Sequence, residues 1–317
     1  MLDLLILLAG FVLLIYGANA LVDSASALAH RLNVPNIVIG LTIVAFGTSS
    51  PELAVNLMAA ANHNAGLVLG NVVGSNILNI LLILGISSLY APLTVKSNTT
   101  WIEVPLAFLA ALLVLVAAGD IFLDRAEENV ITRSEGIVMI FFFIIFLAYT
   151  FQLIRRSRTE EPMEVKAYSL SRSVLFIILG FTLLVVGGRL IVEGATSIAE
   201  GLGISERIIG LTVVSIGTSL PELATSIVAA RKKNTDMAIG NIVGSNIFNV
   251  FFILGASAIV FPVPVTGPSF FDLGFHILAS ALLFLFIFTG KGHRLERWEG
   301  GLFLGLYLLY LGFLVMG

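Results

Sequence analysis

The chain has 317 residues, of which 58% are hydrophobic and only 12% are charged. Soluble domains carry roughly a quarter charged residues, so this composition indicates a polytopic membrane protein in a lipid bilayer. The net charge of −3 argues against nucleic acid as a partner, and the absence of cysteine excludes disulfides and thiolate metal sites.

Apolar stretches of about 20 residues predict ten membrane-spanning helices. The predicted spans are 2–22, 35–60, 66–91, 100–119, 134–154, 170–192, 205–230, 236–262, 270–289 and 297–316. We interpret the first as a spanning helix, since it lacks the basic segment and cleavage site of a signal peptide. A polar linker, 156–169, separates a first five-helix repeat, 1–155, from a second, 170–317. The predicted fold class is an all-α polytopic membrane protein.

Lys and Arg are distributed unevenly between the two sides of the membrane. The predicted spans place thirteen of the 17 basic residues on one side and four on the other. By the positive-inside rule the richer side, which includes the linker, is cytoplasmic, and both termini are extracellular. Because each repeat has an odd number of spans, the second enters the membrane inverted relative to the first. We expect a multi-pass protein of the plasma membrane.

Two polar motifs occur twice, once in each half of the chain. The first reads GTSSPEL from Gly47 and GTSLPEL from Gly217, and the second reads GNVVGSNILN from Gly70 and GNIVGSNIFN from Gly240. Every matched position is separated by 170 residues. A charged residue within an apolar span costs about 2.5–3.5 kcal/mol on insertion scales and by default marks a functional site. The duplicated glutamates therefore predict one cation site built from both halves.

The proline of the first motif predicts a break in the second span. Pro51 donates no hydrogen bond and clashes with the Gly47 carbonyl, so the carbonyls around Ala45–Thr48 should be released. Such carbonyls are tolerated at membrane depth only inside protein or beside a water-filled cavity. Glu52 follows the proline directly and lies beside the hydroxyls of the motif. The candidates are Ala45, Thr48, Ser49 and Glu52, and in the second copy Ser215, Thr218, Ser219 and Glu222.

The second motif adds amide and hydroxyl groups. Asn71, Ser75 and Asn79 recur every four residues, so they share one face of a helix. Asn76 and Asn246 lie off that face, and we assign them to capping or to pairing between helices. The candidates from this motif are Ser75, Asn79, Ser245 and Asn249.

Carboxylate, carbonyl and hydroxyl oxygens dominate these candidates. With no thiolate or imidazole in the motifs, the set favours a hard cation, namely Ca²⁺, Na⁺ or K⁺. The two negative charges of the glutamates are balanced equally well by one Ca²⁺, two Na⁺ or two protons. An exchanger needs a site that alternative ions can neutralise in this way. Charged residues deep in the membrane slow ion conduction, which argues against a channel. An intramembrane protease would need a histidine or lysine beside its serine, and the motifs contain neither. We predict neither a cofactor nor an enzymatic activity.

With these motifs in place, the chain resembles the calcium/cation antiporter superfamily, and within it the prokaryotic sodium/calcium exchangers. The resemblance rests on GTS-x-PE paired with GN-x-x-GSN, present twice, and it extends over essentially all the predicted spans. It implies an alternating-access antiporter whose second, third, seventh and eighth helices are broken around a mid-membrane ion site. It also implies that the long first and sixth helices slide against that core. We expect the chain to act as a monomer.

The resemblance further implies a role for each candidate. The two glutamates and the carbonyls of Thr48 and Thr218 resemble Ca²⁺ ligands, and Asn79 lines the central site of the family. The residues that resemble Na⁺ ligands are Ala45, Thr48, Ser49, Glu52, Ser75, Ser215, Thr218, Ser219, Glu222 and Ser245.

The chain departs from the family pattern at one position. Several sodium/calcium members carry Asp where this chain has Asn249, so its site has two acids and a pair of amides. The charge of two acids equals that of one Ca²⁺ or two protons. Whether three Na⁺ are exchanged for each Ca²⁺ is left open. Na⁺/Ca²⁺ exchange is the leading hypothesis. Exchange of Ca²⁺, or of another cation, for H⁺ at the same two glutamates is the alternative.

Overall fold

The computed structural model describes residues 2–63, 65–95, 99–156, 168–201, 215–289 and 293–316. Within these ranges the chain is predominantly helical. Most of the predicted linker and the first part of the predicted seventh span, 205–214, lie outside the described residues.

The described helices of the first half are α1 Leu2–Leu32, α2 Asn36–Ile39, α3 Ala45–Thr48, α4 Ser50–Ala61, α5 Gly66–Leu78, α6 Gly85–Tyr90, α7 Val104–Ala117, α8 Asp120–Leu123 and α9 Arg133–Arg156. Three π-helical stretches accompany them: Gly40–Val44 between α2 and α3, Asn79–Leu84 between α5 and α6, and Thr99–Glu103 before α7.

The described helices of the second half are α10 Leu170–Gly201, α11 Ser215–Thr218, α12 Leu220–Arg231, α13 Thr235–Phe248, α14 Gly255–Val260, α15 Ser269–Thr289 and α16 Arg297–Met316. A π-helical stretch, Asn249–Leu254, joins α13 to α14.

Seven helices in the described ranges are long and apolar enough to cross a membrane. The bent pair 36–48 and 50–61 makes an eighth when it is counted as one span. These helices agree with the predicted multi-pass architecture, while the count of ten stays a prediction.

The second span is broken where its proline predicts. Ser49 separates α3 from α4 with backbone angles of φ −82° and ψ 7°, and the two segments meet at 48°. Ser219 interrupts the second half in the same way, with φ −91° and ψ 7° between α11 and α12. The prolines that follow, Pro51 and Pro221, occupy the first turns of the new helices. Both predicted breaks are confirmed.

The third and eighth spans are not broken, contrary to the expectation from the resemblance. Residues 67–90 and 235–260 each form one continuous helical span. Their second motifs contain glycine but no proline, so no backbone donor is lost. The chain instead passes into π-helical turns that begin at Asn79 and Asn249. Short π-helical segments of this kind are frequent at functional sites.

The two long helices α1 and α10 pack against each other through glycines. A Cβ atom on Gly10 would lie 2.8 Å from the carbonyl oxygen of Gly187, and one on Gly17 would lie 2.9 Å from that of Gly180. Residue numbers rise along one helix as they fall along the other, so the pair is antiparallel. Glycine is needed at these positions because any side chain would separate the two backbones.

Both long helices extend about ten residues beyond the spans predicted from hydrophobicity. In α1 the extra part, 23–32, includes Asp23 and Ser26, which interrupt the apolar pattern. These polar groups have partners on the second half of the chain. Lys232 pairs with Asp23 at 2.6 Å, and Asn234 Nδ2 donates to Ser26 Oγ at 3.1 Å. Hydrophobicity alone therefore underestimates a helix whose polar end is covered by protein.

Two short antiparallel ribbons connect the halves. β1 Leu93–Thr94 pairs with β4 Arg294–Leu295, and β2 Val130–Ile131 pairs with β3 Val263–Pro264. Each ribbon takes one strand from each half of the chain.

The third and eighth spans form the centre of the bundle. In these two spans 72% and 83% of the residues are buried, against 22–44% in the other five of the seven long apolar helices. The polar motifs of both spans are therefore enclosed by protein and shielded from lipid.

Candidate cation site

Each motif glutamate lies in the first turn of a helix that starts at a break. Glu52 follows Pro51 in α4, and Glu222 follows Pro221 in α12. Proline is tolerated there because the first N–H groups of a helix have no intrahelical acceptor. The glutamates are only 2% and 1% exposed, and their carboxyl groups lie close enough to repel each other when ionised. A cation held by both would relieve that repulsion.

The serine at each break bonds the glutamate of the opposite half. Ser49 Oγ donates to Glu222 Oε1 at 2.8 Å, and Ser219 Oγ donates to Glu52 Oε1 at 3.1 Å. Both serines are buried. The two motifs of the first type therefore form one reciprocal pair, in which each half orients the acid of the other.

The third and eighth spans bring further hydroxyl groups to this pair. Ser49 Oγ also lies 3.0 Å from Ser245 Oγ, and Ser219 Oγ lies 3.4 Å from Ser75 Oγ. All four serines are buried. Hydrogen bonds thus bring together six of the predicted residues: Ser49, Glu52, Ser75, Ser219, Glu222 and Ser245.

Four oxygen atoms of the predicted site residues have no hydrogen-bond partner among the described residues. They are Glu52 Oε2, Glu222 Oε2, Asn79 Oδ1 and Asn249 Oδ1, and all four are buried. A buried acceptor left without a partner costs about 1–3 kcal/mol, and more when it is charged. Carboxylate and amide oxygens are ligands of Ca²⁺ and other hard cations, so these four atoms are candidate ligands for such an ion.

Asparagines assigned from sequence to interhelical pairing do pair between helices. Asn79 Nδ2 donates to Asn246 Oδ1 at 2.9 Å, and Asn249 Nδ2 donates to Asn76 Oδ1 at 3.0 Å. The bonds link the third span to the eighth in both directions.

Further polar residues support the broken helices, and three of them are not among the candidates predicted from sequence. Asn56 Nδ2 donates to Asn71 Oδ1 at 2.8 Å, and at the matching positions Asn241 Nδ2 donates to Ser226 Oγ at 3.0 Å. Asn241 also accepts from Thr48 Oγ1 at 3.1 Å. Asn56, Ser226 and Asn241 could have been found from the repeat, because both members of each matched pair are polar in apolar spans.

The backbone carbonyls before Pro51 accept more hydrogen bonds than the geometry of proline predicts. The Ala45 carbonyl accepts from Ser49 N at 3.0 Å and from Thr48 Oγ1 at 3.3 Å. Proline removes only its own N–H, whose acceptor four residues earlier would be Gly47. The Ser50 hydroxyl compensates by donating to the Gly47 carbonyl at 2.7 Å. The predicted release of carbonyls is therefore smaller than expected in this half.

The remaining candidates are at the edge of the cluster. Thr218 interacts with the Glu52 carboxyl group and borders an open cavity beside the site. The Ser215 side chain lies outside the described part of the chain, so its predicted role stays a prediction.

An open cavity of about 440 Å³ lies beside the two helix breaks. We call it the Arg189 cavity. It lies between α10, which contributes Arg189 and Glu193, and the two breaks, which contribute Pro51 and Thr218. The cavity therefore borders Pro51 and Pro221, the residues that directly precede the buried acids in sequence.

A second cavity, of about 240 Å³, occupies the matching position in the other half. We call it the Lys232 cavity, and it is lined by Asn19, Val228, Arg231 and Lys232. Here Lys232 Nζ lies 2.6 Å from Asp23 Oδ1 and 3.4 Å from the Asn19 carbonyl. The ion pair ties α1 to α12. Asn62 stands at the position that corresponds to Lys232, so the Arg189 cavity has no equivalent cation from α4.

Known proteins share both the sequence and the fold. The chain is 36% identical to the inner membrane protein YrbG of Escherichia coli (strain K12), over 98% of this chain and 95% of that protein. It is 34% identical to the sodium/calcium exchanger MaX1 of Methanosarcina acetivorans, over 99% and 98%. Its fold matches that of the sodium-calcium exchanger NCX_Mj with a TM-score of 0.84 and 32% identity, over 98% of both chains.

The helical membrane fold and these relationships define a cation-exchanging membrane protein. The sequence pattern of the sodium/calcium exchanger protein family matches residues 2–152 and 172–316. The chain belongs to this family, and the resemblance inferred from its motifs is confirmed.

Proposed function

We propose that the chain is an antiporter that exchanges Na⁺ for Ca²⁺ across the plasma membrane by alternating access. The observation that carries the proposal is the set of four unpartnered, buried oxygens among the described residues, two from carboxylates and two from amides. An all-oxygen site of this kind suits Ca²⁺ and Na⁺. The name of MaX1, a sodium/calcium exchanger, supports the same pair of ions.

We assign the ions to the candidate residues as follows. Ca²⁺ is held by the carboxylates of Glu52 and Glu222 and the carbonyls of Thr48 and Thr218, with Asn79 and Asn249 facing it. Na⁺ uses the same glutamates together with the hydroxyls and carbonyls of the remaining residues, Ala45, Ser49, Ser75, Ser215, Ser219 and Ser245. Two carboxylates neutralise one Ca²⁺ or two Na⁺. The net charge of the site inside the membrane is therefore reduced when either ion is bound.

The proposed architecture has ten spans in two inverted repeats, 1–155 and 170–317, joined by a cytoplasmic linker, 156–169. The antiparallel contact of α1 with α10 supports the inversion, because these are the first helices of the two repeats. The two ribbons support it as well, since each combines one strand from each half. We propose that one such chain is the functional unit.

The two cavities support alternating access. The Arg189 cavity borders the prolines that precede the glutamates and lies on the side that the basic residues assign to the exterior. The Lys232 cavity lies on the side assigned to the cytoplasm and is lined by Lys232, which pairs with Asp23. We therefore assign the structure to an outward-open arrangement.

The test is ⁴⁵Ca²⁺ uptake into proteoliposomes of the purified protein. Vesicles loaded with Na⁺ should accumulate ⁴⁵Ca²⁺, and vesicles loaded with choline at the same pH should not. Uptake that is indifferent to internal Na⁺ would overturn the proposal.

Exchange of Ca²⁺ for protons is a second candidate function. It is favoured by the amide at Asn249, which leaves only two acids in the site, and two protons can neutralise these as well as one Ca²⁺. This candidate predicts ⁴⁵Ca²⁺ uptake driven by a pH gradient in Na⁺-free vesicles. Absence of that uptake removes it.

A further inference from the structure

Four buried asparagines form a closed set of hydrogen bonds between the third and eighth spans. The outer members, Asn76 and Asn246, each bond the backbone of the other: Asn76 Nδ2 lies 3.3 Å from the Asn246 carbonyl oxygen, and Asn246 Nδ2 lies 3.4 Å from that of Asn76. Both residues are buried, at 0% and 3% exposed. Their side-chain donors are therefore used to join the helices, which leaves each side-chain oxygen available as an acceptor.

The inner members, Asn79 and Asn249, donate to those two oxygens. Asn79 Nδ2 lies 2.9 Å from Asn246 Oδ1, and Asn249 Nδ2 lies 3.0 Å from Asn76 Oδ1. The pairing is crossed, since each inner asparagine is held by the outer asparagine of the opposite half. Within the described residues, the inner amide oxygens have no hydrogen-bond partner.

An amide side chain can present either of its two ends to a neighbour, and the ends differ in sign. A cation is attracted by the oxygen and repelled by the NH₂ group. Because Asn76 and Asn246 accept from the NH₂ groups, the opposite orientation of Asn79 or Asn249 would place two acceptor oxygens against each other. That orientation would also leave a buried donor without its acceptor. The outer asparagines thus fix which end of each inner amide remains free.

We propose that Asn76 and Asn246 are positioning residues for the cation site: they turn the oxygens of Asn249 and Asn79, respectively, toward the ion without touching it. The inference rests on the proposed function, since it assumes that the inner amides face the ion. It adds two residues that act through others, and it pairs each with one specific target. Partners of metal ligands commonly contribute tenfold to hundredfold to metal affinity.

The test is a set of double-mutant cycles on equilibrium ⁴⁵Ca²⁺ binding to the purified, full-length protein. Asn76→Ala should weaken binding about tenfold or more in the parent, and it should have little further effect when Asn249→Ala is already present. The same substitution should keep its full effect in an Asn79→Ala background. Asn246→Ala should show the mirror pattern, losing its effect with Asn79→Ala and retaining it with Asn249→Ala. A merely structural role would not produce this crossed dependence.

Thermal stability is measured on the same samples, because loss of the bonds between spans would lower the unfolding temperature in every background. If an alanine variant does not yield folded protein, serine at the same position shortens the side chain while keeping a polar group, and the cycles are run with it. Equal effects of Asn76 substitution in both backgrounds would overturn the inference. If Asn79→Ala and Asn249→Ala themselves leave Ca²⁺ binding unchanged, the proposed site fails instead, and the two failures are distinguishable.

Discussion

Ser49 and Glu222 lie 173 residues apart in sequence and share a buried hydrogen bond of 2.8 Å. In the same way, Ser219 of the second half donates a hydrogen bond to Glu52 of the first half. Each half of the chain therefore supplies an acid whose orientation is set by the other half. A substitution at one serine is expected to act on the glutamate in the opposite repeat.

Ser49→Ala and Ser219→Ala should weaken Na⁺ binding more than Ca²⁺ binding. Each change removes a proposed Na⁺ ligand and a bond to a carboxylate, which is worth about 1.5–3 kcal/mol, or roughly tenfold or more in affinity. The measurement is Na⁺ competition against ⁴⁵Ca²⁺ binding. Ser50→Ala is the matched control, because the Ser50 hydroxyl bonds the Gly47 carbonyl and not a glutamate. Equal losses in Ser49→Ala and Ser50→Ala would contradict the assignment.

Glu52→Gln or Glu222→Gln should abolish Ca²⁺ transport while the protein still folds and inserts. The amide keeps the volume of the side chain but removes half of the site's negative charge. Flux is measured in proteoliposomes, and folding by size-exclusion elution and thermal unfolding. Glu103→Gln is the control, because Glu103 is also buried in a membrane helix but bonds Tyr149 at 2.6 Å, outside the cluster. Parent-like flux in either site variant would exclude the proposed ligands.

Asn249→Asp should make the ion stoichiometry depend on pH. Asn76 Oδ1 accepts from Asn249 Nδ2 at 3.0 Å, and an ionised carboxylate has no proton to donate there. At low pH the new carboxyl group is protonated, donates to Asn76 and leaves the charge of the site unchanged. At high pH it adds a third charge and should raise the number of Na⁺ exchanged per Ca²⁺. Reversal potentials that do not change with pH would contradict this expectation.

Gly217→Ala should destabilise the protein and impair transport. A Cβ atom at Gly217 would lie 2.1 Å from Val192 Cγ2 on α10, so the Val192 side chain or one of the two helices must shift. Overpacking of this kind costs about 1–3 kcal/mol. Adding Val192→Ala should restore much of the loss by removing the clashing methyl group. Gly301→Ala is the control, since no atom outside its own helix segment would lie within 4 Å of its Cβ.

The Asp23–Lys232 ion pair should control access to the Lys232 cavity. Its side chains are only 19% and 31% exposed, so Lys232→Met should lower stability by leaving a largely covered carboxylate without its cation. It should nevertheless speed reaction of a membrane-impermeant thiol reagent with Val228→Cys, which lines that cavity. The chain has no native cysteine, so the label reports one position.

Two variants serve as controls for this labelling. Lys233→Met removes a neighbouring charge that is not part of the pair, and it should leave labelling at Val228→Cys unchanged. Met58→Cys lines the Arg189 cavity and should react from the opposite side of the membrane, whether or not Lys232 is substituted. Labelling at Val228→Cys that is insensitive to Lys232→Met would show that the ion pair does not limit access.

Much of the chemistry could be predicted from sequence because it depends on local rules. The repeat identified the paired motifs, proline geometry located the breaks before Glu52 and Glu222, and hydrophobicity placed both acids in the membrane. The continuous third and eighth spans were mispredicted, because the resemblance suggested breaks in segments that contain no proline. The polar end of α1 was missed because hydrophobicity alone does not detect a polar helix end whose side chains bond to other parts of the protein.

The sequence by itself therefore determined the residue types of the site, their duplication and the membrane setting. Only the tertiary structure decided the partners: Ser49 with Glu222, Asn76 with Asn249, and Asp23 with Lys232. The physical reason is that helical periodicity specifies which side chains share a face, whereas the neighbour of that face depends on how distant helices pack. Because the two halves contact each other through polar residues, each of these three pairs joins one half to the other.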